Sequence, residues 1–309
     1  MDISAVVVSF NSEKFLKQNI VSLLKQTVPF NQVIVVDNAS DDGSRSVIGS
    51  FNGLEAVFLK DNVGYAAAAN HGIAKAVSDL LLVANADIHL DPDFNRHVLE
   101  FFAAHPQAGM LSPLILRFNR ETIDSAGQGR SLALYPFEWG YGRPAARSTF
   151  VEREVFSVCG AATVFSRPAL ERLKVGDEFY DEDFFMFWED FDIGWRANLM
   201  GLKVFFTPKA IAYHFRGGTL NRTWWSRISL ALARPASLRY HLVKNRYLTL
   251  IKNFRLARDG WALPFVFARD LLWVGALTIR SPKIIIALVR SRAVFKRAWH
   301  KRGIMKNHE

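Results

Sequence analysis

Seven carboxylates and seven aromatic rings occupy residues 178–192, and Met186 is the only other member of that segment. A core strand rarely contains so many acids, and a solvated acidic stretch rarely contains so many rings. A site that holds a carboxylate beside a stacked, partly dry ligand needs both. The segment therefore predicts a binding or catalytic site for a ligand such as a sugar.

Glu189 and Asp190 begin a predicted helix that ends near Met200. The positive end of the helix dipole keeps a carboxylate ionised, and an ionised carboxylate can take a proton from a sugar hydroxyl as general base. Phe187 and Trp188, directly before the helix, are candidates to pack on a sugar face. Helix capping is the alternative, but capping accounts for only one acid.

The first ninety residues alternate predicted strands and helices. Apolar, β-branched stretches predict strands at 3–9, 32–36, 55–59 and 80–84, and helical spacing predicts helices at 14–25, 44–51 and 64–78. This alternation predicts an α/β fold with a mostly parallel sheet and helices on both faces. Further helices are predicted at 94–104 and 189–200, with short strands near 110–116 and 155–165.

Small polar residues follow each of the four strands, where ligands of such sheets bind. They are Ser9 and Asn11, then Asp37 and Asn38, then Asn62 and Gly64, and finally Asn85, Ala86 and Asp87. Asp37 can accept a hydrogen bond from a nucleobase or ribose, or it can be an ordinary turn residue. Backbone amides near Gly64 can attract phosphate, or simply begin a helix. Neither a G-x-G-x-x-G nor a P-loop motif is present, which argues against a dinucleotide dehydrogenase and a P-loop NTPase.

Asp87 is the candidate ligand for a divalent cation. A diphosphate needs a hard cation, and such cations take carboxylate and phosphate oxygens. Asn85 is neutral, so we expect it to ligate weakly or to hydrogen-bond the ligand instead. His214 follows an apolar strand and can complete the metal shell with Asp87, although a structural role for a lone histidine is the alternative.

The charge is unevenly distributed. The net charge is +10, yet residues 201–309 contain 22 Lys and Arg against 3 Asp and Glu. A basic part of this kind suits nucleic acid or an anionic membrane. No nucleic-acid recognition module is present, and the acidic first part would repel phosphate, so we expect no nucleic-acid partner.

The basic part is predicted to be helical over 222–300. Its most apolar stretch, 261–279, is interrupted by Arg269 and Asp270, so it is too short on either side to span a bilayer. We expect it to lie flat at an interface, with padding of the catalytic domain or a homodimer contact as alternatives. Cys159 is the only cysteine, which indicates a reducing compartment, and the chain start lacks the basic region of a signal peptide.

Several motifs in order resemble glycosyltransferase family 2. They are residues 5–11 (AVVVSFN), 35–40 (VVDNAS), 61–64 (DNVG), 85–87 (NAD), 160–162 (GAA), 188–192 (WEDFD) and His214. The match covers about 1–220, and its spacing most resembles the bacterial rhamnosyltransferase branch. The resemblance implies a GT-A domain over 1–220, a single Rossmann-like nucleotide-sugar transferase unit, followed by a basic helical extension over 221–309.

The resemblance also implies roles. Asp37 would bind the base with Ser9 and Asn11 nearby, and Asp87 would bind Mg²⁺ or Mn²⁺ on the donor diphosphate with His214. Asp190 would be the catalytic base, and Glu189 would hold donor or acceptor hydroxyls. Asn38, Asn62, Gly64, Asn85 and Ala86 would complete the donor site, and Gly160 and Ala161 the acceptor side.

The implied reaction is an inverting transfer from a nucleotide-diphosphate sugar, with dTDP-L-rhamnose as first choice, to a lipid-linked or polysaccharide hydroxyl. We expect it at the inner face of the plasma membrane. Other donors such as a UDP-hexose or UDP-galactofuranose stay open, as does a non-catalytic sugar-nucleotide-binding module. A sugar-nucleotide pyrophosphorylase shares the fold class, but its Gly-rich basic opening is absent after the first strand.

Overall fold

The structure is a computed structural model that describes residues 1–148, 150–215 and 235–306. Its first part alternates strand and helix as predicted. The elements are β1 (Ile3–Ser9), α1 (Glu13–Leu24), β2 (Gln32–Asp37), α2 (Ser44–Gly49), β3 (Glu55–Phe58), α3 (Tyr65–Ile73) and β4 (Leu80–Asn85).

The middle of the chain completes the sheet. It contributes β5 (Ile88–Leu90), α4 (Phe94–Ala104), β6 (Ala108–Arg117), β7 (Ile123–Ser125), β8 (Gln128–Arg130), β9 (Pro136–Glu138), β10 (Arg153–Glu154), β11 (Ala162–Ser166), α5 (Arg167–Arg172), α6 (Glu189–Leu199) and β12 (Lys203–His214). A short 3₁₀ turn at Glu182–Phe184 lies within the acidic and aromatic segment.

One large sheet of ten strands organises the fold, in the order β10-β12-β6-β11-β4-β1-β2-β3, with β5 paired to β12 and β7 to β6. The strands β4, β1, β2 and β3 are mutually parallel, whereas β11 runs antiparallel to both β4 and β6. The carboxyl ends of the four parallel strands therefore meet at one edge, where their polar residues come together.

Apolar side chains on the two faces of the sheet form separate core clusters. The odd-numbered residues of β1, such as Val7, pack with Leu16 and Ile20 of α1. The even-numbered residue Val6 packs with the alanine-rich helix α3. This alternation is the period of two expected of a strand buried on both faces, and it confirms the predicted α/β architecture.

One predicted strand is only partly correct. The chain forms β11 at Ala162–Ser166 rather than over 155–165, because a turn at Gly160 and Ala161 interrupts the extended backbone. Before that turn, the backbone of Ser157 hydrogen-bonds to Gln128 instead of to a neighbouring sheet strand. The turn brings Gly160 toward α6.

The basic extension is helical, as predicted. It contains α7 (Ala236–Asn253), α8 (Leu256–Asp259), α9 (Leu263–Arg280), α10 (Lys283–Arg290) and α11 (Arg292–Lys306). The predicted boundary at residue 220 lies outside the described residues. Among the helices that the structure does describe, none has both the length and the apolar character needed to cross a bilayer.

Candidate active site

Ser9 and Asp37 lie side by side where β1 and β2 end. They are register partners in the parallel pair, and both are fully buried. Asp37 Oδ2 accepts a hydrogen bond from the Ser40 backbone N–H and forms an ion pair with Arg45, whose Nε lies 2.7 Å away. Among the described residues, Asp37 Oδ1 and Ser9 Oγ have no hydrogen-bond partner. A ligand that offers polar groups here would satisfy buried atoms that are otherwise costly.

The predicted donor residues form a connected loop system beside this pair. Asn38 donates to Asn62 Oδ1 at 3.0 Å, and the same oxygen accepts from the Gly64 backbone at 3.0 Å. Asn11 is in the left-handed region and accepts from the Asp41 backbone at 3.0 Å. Gly64, with φ +87°, also requires glycine, since an added Cβ would lie 2.5 Å from the Phe185 ring.

Asp87 and His214 are adjacent, as the sequence predicted. Asp87 Oδ2 lies 3.2 Å from His214 Nε2, and His214 Nδ1 lies 2.7 Å from Asp124 Oδ2. Burial alone would lower the pKa of His214, but the hydrogen bonds to Asp124 and Asp87 outweigh it and raise the pKa to about 9. A cation that binds Nε2 has to displace that proton.

These residues fit a cation that the donor helps to hold. Two ligand atoms at right angles on an ion about 2.1 Å away lie about 3 Å apart, close to the observed Asp87–His214 separation. A carboxylate that holds the far nitrogen of a ligating histidine is the usual second partner. No group of three or more such side chains converges within the described part of the chain, so donor oxygens would have to supply further ligands.

Asp190 is held by three donors at the start of α6. Its Oδ2 accepts from the Gly160 backbone at 2.9 Å and from Gln128 Nε2 at 2.8 Å, while Oδ1 accepts from the Phe191 backbone at 2.8 Å. Burial raises the pKa of Asp190 even though these hydrogen bonds lower it. The residue is partly exposed to solvent.

Glu189 is the more deeply buried of the two acids. Its Oε2 has no hydrogen-bond partner among the described residues. Burial, followed by the neighbouring charge of Asp190, raises the pKa of Glu189 to about 8. At neutral pH this raised pKa favours the protonated form of Glu189.

Asp87 and Asp190 belong to the same end of the sheet. Asp190 is bonded to Gly160, and the next residue, Ala161, accepts a hydrogen bond from the Asn85 backbone at 3.0 Å. Asn85 is two residues before Asp87. The candidate metal ligand and the candidate base are thus connected through neighbouring backbone at this end of the sheet, and buried Ala86 lies between Asn85 and Asp87.

The expected sugar platform needs a correction at Trp188. Its side chain is 6% exposed and packs edge-on against Tyr135 and Phe191, so it does not offer a face to a sugar. Phe187 is half-buried and packs in the same cluster. Both residues have positive φ, and their rings fill a core.

Most of the clustered acids are also explained by ion pairs, which the sequence interpretation missed. Four of the seven carboxylates contact basic side chains: Glu178 and Asp183 with Lys301, Asp181 with Lys252 and Lys301, and Asp192 with Lys252 and Arg196. The segment thus contacts the C-terminal helices through a set of largely buried ion pairs. Among the described ion pairs, the other three acids, Glu182, Glu189 and Asp190, have no basic partner, and of these only Glu182 is exposed.

Three contributors to the site were not predicted. Gln128 and Ser157 hold the side chain and the carbonyl of Asp190, and Asp124 holds His214. All three lie in the irregular middle of the chain, 33 to 90 residues from their partners. No local pattern marks a residue that acts through so distant a contact.

The sequence model described as Glycosyl transferase family 2 matches residues 4–174, more than half of the chain. The chain belongs to glycosyltransferase family 2. The N-acetylglucosaminyl-diphospho-decaprenol L-rhamnosyltransferase of Mycobacterium tuberculosis is 27% identical over 310 residues, covering 92% of this chain and 93% of the relative. A poly-beta-1,6-N-acetyl-D-glucosamine synthase of Staphylococcus epidermidis is 24% identical over 232 residues, which cover 74% of this chain but only 53% of the relative, about half its length.

Solved structures share the fold. TarS of S. aureus in complex with UDP-GlcNAc has a TM-score of 0.57 at 16% identity, covering 100% of this chain and 91% of that one. The mannosyltransferase PcManGT of Pyrobaculum calidifontis, in complex with GDP-Man and Mn²⁺, has a TM-score of 0.55 at 16% identity, covering 99% and 85%. The predicted GT-A fold and family are confirmed.

Proposed function

We propose that this family 2 chain transfers a sugar, with inversion, from a nucleoside-diphosphate sugar to a hydroxyl of a lipid-linked or polysaccharide acceptor. The observation that carries the proposal is the carboxylate of Asp190, held by Gly160 and Gln128 at the same sheet edge as the Asp87–His214 pair. L-Rhamnose from dTDP-rhamnose is the leading donor, supported by the mycobacterial relative that aligns over nearly its full length.

The donor would lie across the ends of β1 to β4. Asp37 Oδ1 and Ser9 Oγ, the two buried atoms without described partners, would receive polar groups of the base. Asp87 and His214 would hold Mg²⁺ or Mn²⁺, whose positive charge would stabilise the leaving diphosphate. The Asp124 side chain keeps His214 oriented toward Asp87 through the 2.7 Å contact.

Asp190 would act as the general base. Its carboxylate removes the proton of the acceptor hydroxyl as the new bond forms between that oxygen and the anomeric carbon. The bond from the anomeric carbon to the diphosphate breaks on the opposite face, which inverts the centre. The three hydrogen bonds orient the carboxylate, and its raised pKa makes it a stronger base than a solvated aspartate.

A panel of donors tests this function. We expect release of the nucleoside diphosphate from dTDP-rhamnose when a polyprenyl-diphosphate-linked sugar and Mg²⁺ or Mn²⁺ are present, and loss of release on chelation. Transfer only from a UDP-hexose or UDP-galactofuranose would move the donor assignment while keeping the reaction. Binding of sugar nucleotides with no transfer or hydrolysis under any condition would contradict catalysis.

The outer face of α9 supports membrane association. The exposed residues of this helix whose side chains are described are all uncharged, including Leu263, Phe267, Leu271 and Leu272. The charged pair that interrupts the apolar stretch turns inward instead. Asp270 pairs with Arg246 at 2.6 Å, and the Arg269 guanidinium lies 3.6 Å from the centre of the Tyr135 ring.

We therefore propose that α9 lies on an anionic lipid surface. Exposed basic residues follow it on α10 and α11: Lys283, Arg290, Arg292 and Lys296. An apolar face flanked by basic residues is the arrangement that binds anionic lipid. A surface of this kind would bring the site close to a lipid-linked acceptor at the inner face of the membrane.

Point substitutions test membrane binding better than deletion of 222–309, because the C-terminal helices pair with the catalytic segment. We expect the triple variant Phe267→Ser, Leu271→Ser, Leu272→Ser to sediment at least about tenfold less with phosphatidylglycerol-containing vesicles than the native chain. Val77→Ser, an equally exposed apolar position far along the chain, is the matched control. Equal sedimentation of triple variant and native chain would contradict the proposal.

A further inference from the structure

Asn245 of α7 is fully buried and hydrogen-bonds to the turn that precedes Glu189 and Asp190. Its side-chain nitrogen lies 3.0 Å from the carbonyl oxygen of Phe184, 2.7 Å from that of Met186 and 2.8 Å from that of Phe187. An amide carries two N–H groups, so at least one of them is shared between carbonyls. All three acceptors belong to the residues immediately before Glu189.

This turn has an unfavourable backbone. Phe185, Phe187 and Trp188 have φ values of +65°, +68° and +74°. Bulky residues adopt the left-handed region only where surrounding structure holds them there. Asn245 stabilises this backbone directly. Its amide N–H groups donate hydrogen bonds to carbonyls that this backbone conformation keeps out of a regular helix or strand.

The same turn lies against the donor loop, residues 62–66, whose backbone amides near Gly64 are predicted to attract phosphate. The carbonyl of Phe185 accepts a hydrogen bond from the Ala66 backbone at 3.3 Å, and the Phe185 ring fills the space beside Gly64. On its other side, the Phe185 ring stacks on His241 of α7 with ring centres 5.0 Å apart. The turn is therefore enclosed between α7 and the loop predicted to bind the donor phosphates.

We propose that Asn245 is a positioning residue for glycosyl transfer, which holds residues 184–188 so that Glu189 and Asp190 face the donor loop. The inference rests on the proposed function for its catalytic consequence. It assigns the basic C-terminal extension a part in building the active site in addition to any contact with lipid. Asn245 would act through the backbone that carries the acids, because its described contacts are with backbone carbonyls.

Hydrogen–deuterium exchange of the full chain tests the hold without any substrate. Asn245→Asp keeps the side-chain shape and removes both N–H donors. We expect peptides covering 184–191 to exchange at least about tenfold faster in this variant, with the strands unchanged. Thr249→Val is the matched control, one turn further along α7, where the buried hydroxyl has no hydrogen-bond partner among the described residues.

Steady-state kinetics with dTDP-rhamnose test the catalytic consequence. Misplacing the base should lower kcat of Asn245→Asp by about tenfold or more while the donor KM changes less than about threefold. Thr249→Val should retain native kcat. If Asn245→Asp does not fold, Asn245→Ser, which is uncharged and too short to reach all three carbonyls, is measured in the same way.

Unchanged exchange over 184–191 in a folded variant would overturn the proposal, as would native kcat or a loss confined to KM. If the native chain transfers no sugar at all, the proposed function fails, and the exchange comparison still decides whether Asn245 holds the turn.

Discussion

The backbone N–H of Gly160 lies 2.9 Å from Oδ2 of Asp190, although the two residues are 30 positions apart. The contact joins the turn before β11 to the start of α6, and through Ala161 it continues to Asn85 beside the candidate cation ligand. The fold thus connects the proposed base to the proposed cation ligand through neighbouring backbone.

Gly160→Ala should impair transfer without unfolding the chain. The added Cβ would lie 3.0 Å from Cβ and 3.1 Å from Oδ2 of Asp190, so the carboxylate has to move. The shift required is a few tenths of an ångström. Because a misplacement of about 1 Å can cost about 100-fold, we expect kcat to fall by about tenfold. Gly49→Ala in α2 is the control, because its new Cβ meets no atom within 4 Å. Native kcat in Gly160→Ala would show that this contact does not position the base.

Glu189 should make stability depend on pH. The pKa of this carboxyl rises from 4.5 to about 8 on folding, so between these values the folded chain binds a proton that the unfolded chain has lost. The contribution of Glu189 to the free energy of unfolding is complete below pH 4.5. It is lost as the pH rises toward 8, at up to about 1.4 kcal/mol per pH unit. Denaturant titrations should show this fall in the native chain and a flatter profile in Glu189→Gln. Parallel profiles would mean that Glu189 is ionised in the folded chain.

Lys252→Met should destabilise the chain strongly. Lys252 is fully buried, and its Nζ lies 2.6 Å from Asp181 and 2.8 Å from Asp192. Its removal leaves buried carboxylates with fewer partners, so we expect the free energy of unfolding to fall by about 3 kcal/mol. Lys203→Met, which breaks an exposed pair with Glu154, should cost less than about 1 kcal/mol. Similar losses in both variants would show that the buried pairs stabilise the chain no more than an exposed pair does.

The sheet with helices on both faces was predictable because the signals for its strands and helices lie in neighbouring residues. The buried strands β1, β2 and β4 have continuous apolar runs, and the polar residues at their ends follow from parallel topology. The proximity of Asp87 and His214 was also predictable, since both lie at strand ends. These predictions required no knowledge of which distant residues meet.

The acidic and aromatic segment shows where sequence reasoning reached its limit. Asp181 and Asp190 look equivalent in the chain, yet one pairs with Lys252, 71 positions away, and the other is held by Gln128 and Gly160. In the sequence, a structural carboxylate cannot be told from a candidate base, because the residues that distinguish them lie far along the chain. For the same reason Trp188 was expected at a sugar face and lies instead beside Tyr135 in a core.

Transfer by Asp190→Asn tests the central claim most directly. The substitution preserves shape and removes the basic oxygen, so kcat should fall at least about 100-fold while the melting temperature and binding of nucleoside diphosphate stay native. Glu182→Gln, an exposed acid of the same segment, should retain native kcat. Near-native transfer by a folded Asp190→Asn variant would contradict the assignment of Asp190 as the catalytic base.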